Sequence, residues 1–180
     1  TDEGLCRCDR ASGKFVTYRH ESGRAESIAS NHIRALSEDS DGALWIGTFG
    51  GGLDRLERKS GRFTHFRHDP ADPASLSSDY VNALHEDRQG TLWVGSESGL
   101  NRFDRASGRT VRYHSQPAQA DALLDDQVSA ICEDRDGRLW IGTHGGLNCL
   151  DPKTGRITGY RNDPLDPASP LMAFNGLLTG

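Results

Sequence analysis

Short runs of five or six residues, either alternating apolar with polar or apolar throughout, recur along this chain at a near-constant spacing. In the best-defined period they are Val81–Glu86, Thr91–Ser96, Leu100–Asp104 and Thr110–His114, labelled here strands A to D. Each is rich in β-branched and aromatic residues and is bounded by Gly, Asp or Ser, the pattern of short strands between tight turns. Strand B stands apart. In Leu44-Trp45-Ile46 neither side is polar, which predicts a strand covered on both faces of its sheet. No segment carries a 3.6-residue apolar period, so the chain is read as all-β.

The runs belong to a repeat. Trp45, Trp93 and Trp140 stand 48 and 47 residues apart in the phrases Leu-Trp-Ile-Gly-Thr, Leu-Trp-Val-Gly-Ser and Leu-Trp-Ile-Gly-Thr. A Gly-Leu pair follows each phrase, and the chain itself opens with the same pair at Gly4-Leu5. The A–B connections read Asp39-Ser40-Asp41-Gly42, Asp87-Arg88-Gln89-Gly90 and Asp134-Arg135-Asp136-Gly137. In such turns Asp accepts nearby backbone amides and Gly takes the positive φ. The C–D connections carry Ser/Thr-Gly-Arg/Lys, as at Ser60-Gly61-Arg62 and Ser107-Gly108-Arg109.

Four antiparallel strands in a period of about 47 residues predict β-propeller blades. The register gives three complete blades, at 28–75, 76–122 and 123–169. Residues 1–27 supply strands C and D of a fourth blade with their following loop, and 170–180 the start of its strand A, leaving strand B missing. The tryptophans then fill the wedges between blades. Gly47, Gly95 and Gly142 allow close backbone approach between blades, or mark a bulge. An open arc of this kind exposes its end faces, so either more chain or self-association is expected to close it.

Composition narrows the possibilities. With 34% hydrophobic residues and 21 glycines among 180, the chain has enough apolar content for a globular core. No apolar run reaches the roughly 20 residues of a membrane helix, so no membrane contact is expected from this segment. The net charge is −5 without a basic cluster, which argues against a nucleic-acid partner. Cys6, Cys8, Cys132 and Cys149 fit no zinc or redox spacing, and neither metal nor cofactor is expected. Asp39-x-Asp41-Gly42 lacks the further oxygen ligands and closing acid of a calcium loop. Beginning at Thr1 without a leader-like stretch, the sequence reads as part of a longer protein or a processed product.

The phrase from Val81 to Gly95, Val-Asn-Ala-Leu-His-Glu-Asp-Arg-Gln-Gly-Thr-Leu-Trp-Val-Gly, followed by Gly99-Leu100-Asn101-Arg102-Phe103-Asp104, resembles the two-component regulator propeller repeat. The phrases around Trp45 and Trp140 match it too. The resemblance implies the periplasmic sensor region of a bacterial hybrid histidine kinase, or of a related receptor joined to a diguanylate cyclase. It also implies a larger propeller, a membrane-proximal β-sandwich, and ligands that include carbohydrate fragments.

Propeller ligands sit near the central axis, on the face of the B–C and D–A loops. Residues that break the repeat there are therefore the candidates for ligand binding. In the B–C loops they are Asp2, Phe49, Glu97 and His144, and at the start of strand A they are His32, Tyr80 and Gln127. Carboxylates, imidazoles and aromatic faces on one rim suit a polyol such as an oligosaccharide. Loop tips that nothing constrains would vary in the same way. No catalytic residue is assigned: Gly-x-Ser-x-Gly, phosphate-loop and His-Glu-x-x-His patterns are all missing. A propeller lyase or hydrolase remains the lesser alternative, and an interaction or self-assembling scaffold without a small ligand the main one.

Overall fold

The computed structural model describes residues 2–116, 118–162, 165, 166 and 169. They form a two-stranded sheet, β1 (Leu5–Cys8) and β2 (Phe15–Tyr18), followed by three four-stranded antiparallel sheets. The second blade holds β3 (Ile33–Glu38), β4 (Leu44–Thr48), β5 (Gly52–Glu57) and β6 (Arg62–Phe66). The third holds β7 (Val81–Glu86), β8 (Leu92–Ser96), β9 (Gly99–Phe103) and β10 (Thr110–Tyr113). The fourth holds β11 (Val128–Glu133), β12 (Leu139–Thr143), β13 (Gly146–Leu150) and β14 (Ile157–Tyr160). Every pairing joins consecutive strands, so each blade is a simple meander, and the chain is a β-propeller fragment. The predicted strands match within a residue at each end. The strand A expected from Phe174 onward lies outside the described residues.

The A–B turns show why each blade folds locally. Asp39 Oδ1 accepts the amides of Asp41 at 3.0 Å and Ala43 at 2.8 Å, while its Oδ2 accepts the Trp45 indole N–H at 2.8 Å. Asp87 serves Gln89, Thr91 and Trp93 in the same way, and Asp134 serves Asp136, Arg138 and Trp140. One carboxylate thus closes the turn and fixes the rotamer of the repeat's tryptophan. That second task was not visible in the sequence, where the Asp reads as turn chemistry alone.

Three apolar clusters occupy the seams between blades rather than one common centre. Trp45, Leu53, Val81, Leu92 and Phe103 fill the seam between the second and third blades, with Trp45 and Phe103 meeting edge-to-face at 5.3 Å. Trp93, Leu100, Val128, Leu139 and Ile141 fill the next, and Leu5, Ile28, Ile46 and Leu56 the first. Polar clamps rim the seams. The Ser40 amide donates to Glu86 at 3.2 Å and the Arg88 amide to Glu133 at 3.0 Å, each reaching the following blade.

The strand-B glycines lie at bulges, and at two of them the next blade comes close. Gly47, Gly95 and Gly142 stand opposite Ala35, Ala83 and Ala130, where strand A shifts register in a bulge. A methyl group on Gly47 would meet Val81 of the next blade at 2.7 Å, and one on Gly95 would meet Val128 at 2.5 Å.

Candidate functional site

The rim is built by one backbone device repeated in each blade. The first residue after strand B donates its amide to the carbonyl of the residue preceding strand A: Phe49 to His32 at 2.9 Å, Glu97 to Tyr80 at 3.1 Å, and His144 to Gln127 at 3.2 Å. Six of the seven candidates are therefore paired two by two within their blades, on the edge where the B–C loops and strand A begin. Asp2 takes the place of Phe49 in the partial first blade.

Two of these pairs are linked across a seam. His32 Nδ1 stands 3.0 Å from Asp2 Oδ1, joining the first and second blades. The hydrogen bond and charge of His32 lower the Asp2 carboxyl from its ordinary value. Phe49 and Tyr80, joined by an isolated antiparallel bridge, pack edge-to-face with centroids 4.6 Å apart, linking the second and third blades. Tyr80 remains 40% exposed. For Glu97, Gln127 and His144 the structure gives the backbone bonds and, among the described residues, no comparable side-chain meeting.

Arg34, which sequence reasoning missed, completes the group. Its guanidinium lies 4.9 Å from the centre of the Phe49 ring, an arrangement in which the cation faces the π system. Asn82 and Ser129 occupy its place in the other blades, so Arg34 was open to the same repeat-breaking test as its neighbours. Chemically, the stretch from Asp2 to Tyr80 offers a carboxylate, an imidazole, a guanidinium and an aromatic edge within two adjacent seams. No group of His, Cys, Asp or Glu able to hold a metal occurs among the described residues.

Two clefts lie elsewhere. One of about 1070 Å³ opens between the second and third blades on the side of the A–B and C–D turns, beside Trp45, Phe66 and Arg105. The other, of about 370 Å³, lies beside the loop from His20 to Ala29. Neither is lined by a rim residue. The turn carboxylates are committed to structure: burial opposes the charge of Asp134, but the Arg138 amide, the indole and the Arg138 guanidinium hold it at about 2.

The loops ahead of strand A carry their own repeated bonds. The amides of His20, His68 and Ser115 donate to Asn31, Asp79 and Asp126, and the Nδ1 atoms of His20 and His68 meet the carbonyls of Ile28 and Leu76. The loop from His68 to Leu76 is pinned onto β10 of the third blade, where Arg112 donates to the carbonyls of Asp72, Ser75 and Leu76. The Asp-Pro copies at 163–164 and 166–167 fall largely outside the described residues.

Comparison with known proteins bears on this architecture. The family model described as two component regulator propeller matches residues 27–50, 75–98 and 122–145, each match running from the loop before strand A to the rim residues 49, 97 and 144 or just beyond. The extracellular domain of the putative hybrid two component system BT3049 from B. thetaiotaomicron superposes with a TM-score of 0.77 at 28% identity, over 89% of this chain and 22% of that one. The corresponding domain of BT4673 from the same organism gives 0.74 at 22% identity, over 93% and 21%. Virginiamycin B lyase from Staphylococcus aureus shares the fold alone, with a TM-score of 0.62 at 16% identity over 89% of this chain and 49% of that one. No curated protein matches. The chain thus spans about a fifth of the length of the two extracellular domains. Blades two, three and four each carry one match to the two component regulator propeller repeat.

Proposed function

We propose that this arc is part of the extracytoplasmic, periplasmic sensor propeller of a bacterial receptor, a hybrid histidine kinase or a diguanylate cyclase, and that it binds an oligosaccharide without catalysing a reaction. The observation that carries the reading is the meeting of the Asp2–His32 and Phe49–Tyr80 pairs, with Arg34, on one rim across two seams. The likeness to extracellular domains of hybrid two-component systems supports it. A saccharide lying along this rim stacks on the Tyr80 ring and hydrogen-bonds to the Asp2 and His32 side chains. Bridging blades in this way favours one relative setting of them, and differential affinity for two settings is what a sensor transmits.

The test is a panel of oligosaccharides screened against the chain, with calorimetry on any that bind. Tyr80→Ala and Phe49→Ala are expected to weaken binding about three- to tenfold each, the scale of one aromatic contact. Failure of every saccharide to bind, or equal binding by wild type and both variants, removes the reading.

A second reading is favoured by the end faces. Leu36 of β3 is 52% exposed, whereas Leu84 and Ile131 at the same register pack against the seam clusters. At the other end Tyr160 is 41% exposed and stacks on the half-buried Trp140, while Trp45 and Trp93 are fully covered. In this reading the arc joins a second copy through these faces to complete a ring. Light scattering coupled to size exclusion decides it: a defined dimer supports self-assembly, and a monomer at high concentration removes it.

A further inference from the structure

Asp54 and His65 form a pair that the other blades do not contain. They are cross-strand partners on β5 and β6; the matching partners are Asn101 with Arg112 in the third blade and Asn148 with Gly159 in the fourth. In all three blades the inner side chain is fully buried and accepts an amide from the loop ahead of strand A: Ala29 to Asp54 at 2.7 Å, Ser77 to Asn101 at 2.9 Å and Leu124 to Asn148 at 2.9 Å. In the second blade alone that residue is a carboxylic acid. His65 lies between it and the loop, with Nδ1 2.6 Å from Asp54 Oδ1 and Nε2 2.8 Å from the Ala25 carbonyl.

The hydrogen-bond inventory of this arrangement leads to a proton count. A neutral imidazole has one N–H and one lone-pair nitrogen, and an ionised carboxylate only accepts. Both neighbours of the ring are then acceptors, one of them necessarily so. The carbonyl takes the N–H at Nε2, which leaves a lone pair facing a carboxylate at 2.6 Å. That contact holds only with a proton in it, carried by the imidazole or by Asp54. Burial pushes the Asp54 carboxyl up from its ordinary range, against the pull of the Ala29 amide and the His65 ring, so retention of a proton in this pair has a physical cause.

We infer that the His65–Asp54 pair is a proton-dependent latch holding the loop from Glu21 to Ala29 onto the second blade. The cleft of about 370 Å³ beside it admits water, so the proton can exchange. The titratable and charged groups facing the pair are His20, Glu21 and Arg24 from the loop and Arg67 just after β6; Arg24 is bonded to Glu21 at 3.0 Å. The docked loop keeps one proton more than the released loop. Docking is therefore complete at low pH and is lost as pH rises through the value at which the docked pair gives up its proton. The third blade supplies an internal reference. There Arg112, always charged, holds the loop at Asp72–Leu76 through three carbonyls and the Ser75 hydroxyl, with no proton to lose.

The experiment is amide hydrogen exchange on the full chain from about pH 5 to about pH 9, corrected for the intrinsic pH dependence of exchange. Protection of residues 25–29 is expected to fall by up to about tenfold per pH unit over the range in which the docked pair holds a proton that the released loop has lost, and to level off above it, while residues 72–77 stay level throughout. Asp54→Asn restores the amide found at 101 and 148: its NH2 donates to Nδ1 and its carbonyl accepts from Ala29, so the loop is expected to stay protected at high pH. Parallel profiles for the two loops in the wild type overturn the latch, as does a falling profile that survives in Asp54→Asn. Should Asp54→Asn not fold, His65→Arg on the wild-type background gives the same reading, a flat profile supporting the latch and a falling one overturning it.

Discussion

Trp45→Ala is expected to destabilise the chain by about 3–5 kcal/mol, the range for removing a large aromatic side chain from a core. Trp45 is fully buried and sits where two blades meet, packed against Phe103 of the third blade and Phe66 of its own. It also supplies the indole N–H to Asp39. Burial works against the charge on that carboxylate, yet the indole, the Ala43 amide and Arg105 together hold it below its ordinary range. Removing the ring therefore opens a cavity in the seam and takes a donor from a buried acceptor, which carries its own penalty. Trp140 makes the matching bond to Asp134 but is only partly buried, so Trp140→Ala is expected to cost roughly half as much. Urea denaturation of the two variants checks both values. Equal losses at the two positions show that the tryptophans act within their own blades rather than through the seam.

This contrast also shows what the sequence could reveal. The spacing of Trp45, Trp93 and Trp140 is enough to define blades, because each stands at the same place in strand B, and Trp45 and Trp93 are buried in successive seams. At Gly47 and Gly95 the reason for glycine is local: a Val of the next blade leaves no room for a β-carbon. The sequence offers candidates for the rim and nothing of their contacts. Residues that break the repeat could be named, but whether Asp2 reaches His32 or Phe49 reaches Tyr80 depends on how far one blade is turned against the next. That angle is set by the seam clusters, whose residues come from different blades, as Trp45 and Phe103 do. Asp54 was hidden differently. The sequence shows Asp, Asn and Asn at 54, 101 and 148, a substitution that looks conservative. Only full burial and a histidine placed against it turn the added charge into a feature of the fold.

Gly95→Ala is expected to cost about 1–3 kcal/mol, although alanine is the smallest possible addition. The new methyl would lie 2.5 Å from Val128 Cγ1, 3.1 Å from its Cβ and 3.3 Å from the Ala83 methyl, and none of these is the free end of a flexible side chain. Val128 is fully buried in the same seam cluster as Leu123 and Leu139, so a change of its rotamer disturbs a packed core. The backbone at Gly95 is not itself strained, so the cost comes from blade-to-blade contact alone. The reverse case is Gly61, with φ of 71° and nothing within 4 Å of a β-carbon. There Gly61→Ala is expected to cost about 1 kcal/mol from the left-handed backbone only. A double-mutant cycle separates the two origins. If the Gly95 penalty is a seam collision, Val128→Ala relieves it, and the pair Gly95→Ala/Val128→Ala is more stable than the sum of the single losses by roughly 1 kcal/mol or more. Strict additivity would place the penalty inside the third blade, at the bulge opposite Ala83. The two outcomes separate a propeller whose blades are stacked as independent units from one whose blades are fitted to each other. Only the fitted arrangement lets a molecule held across the rim be felt in the neighbouring blade.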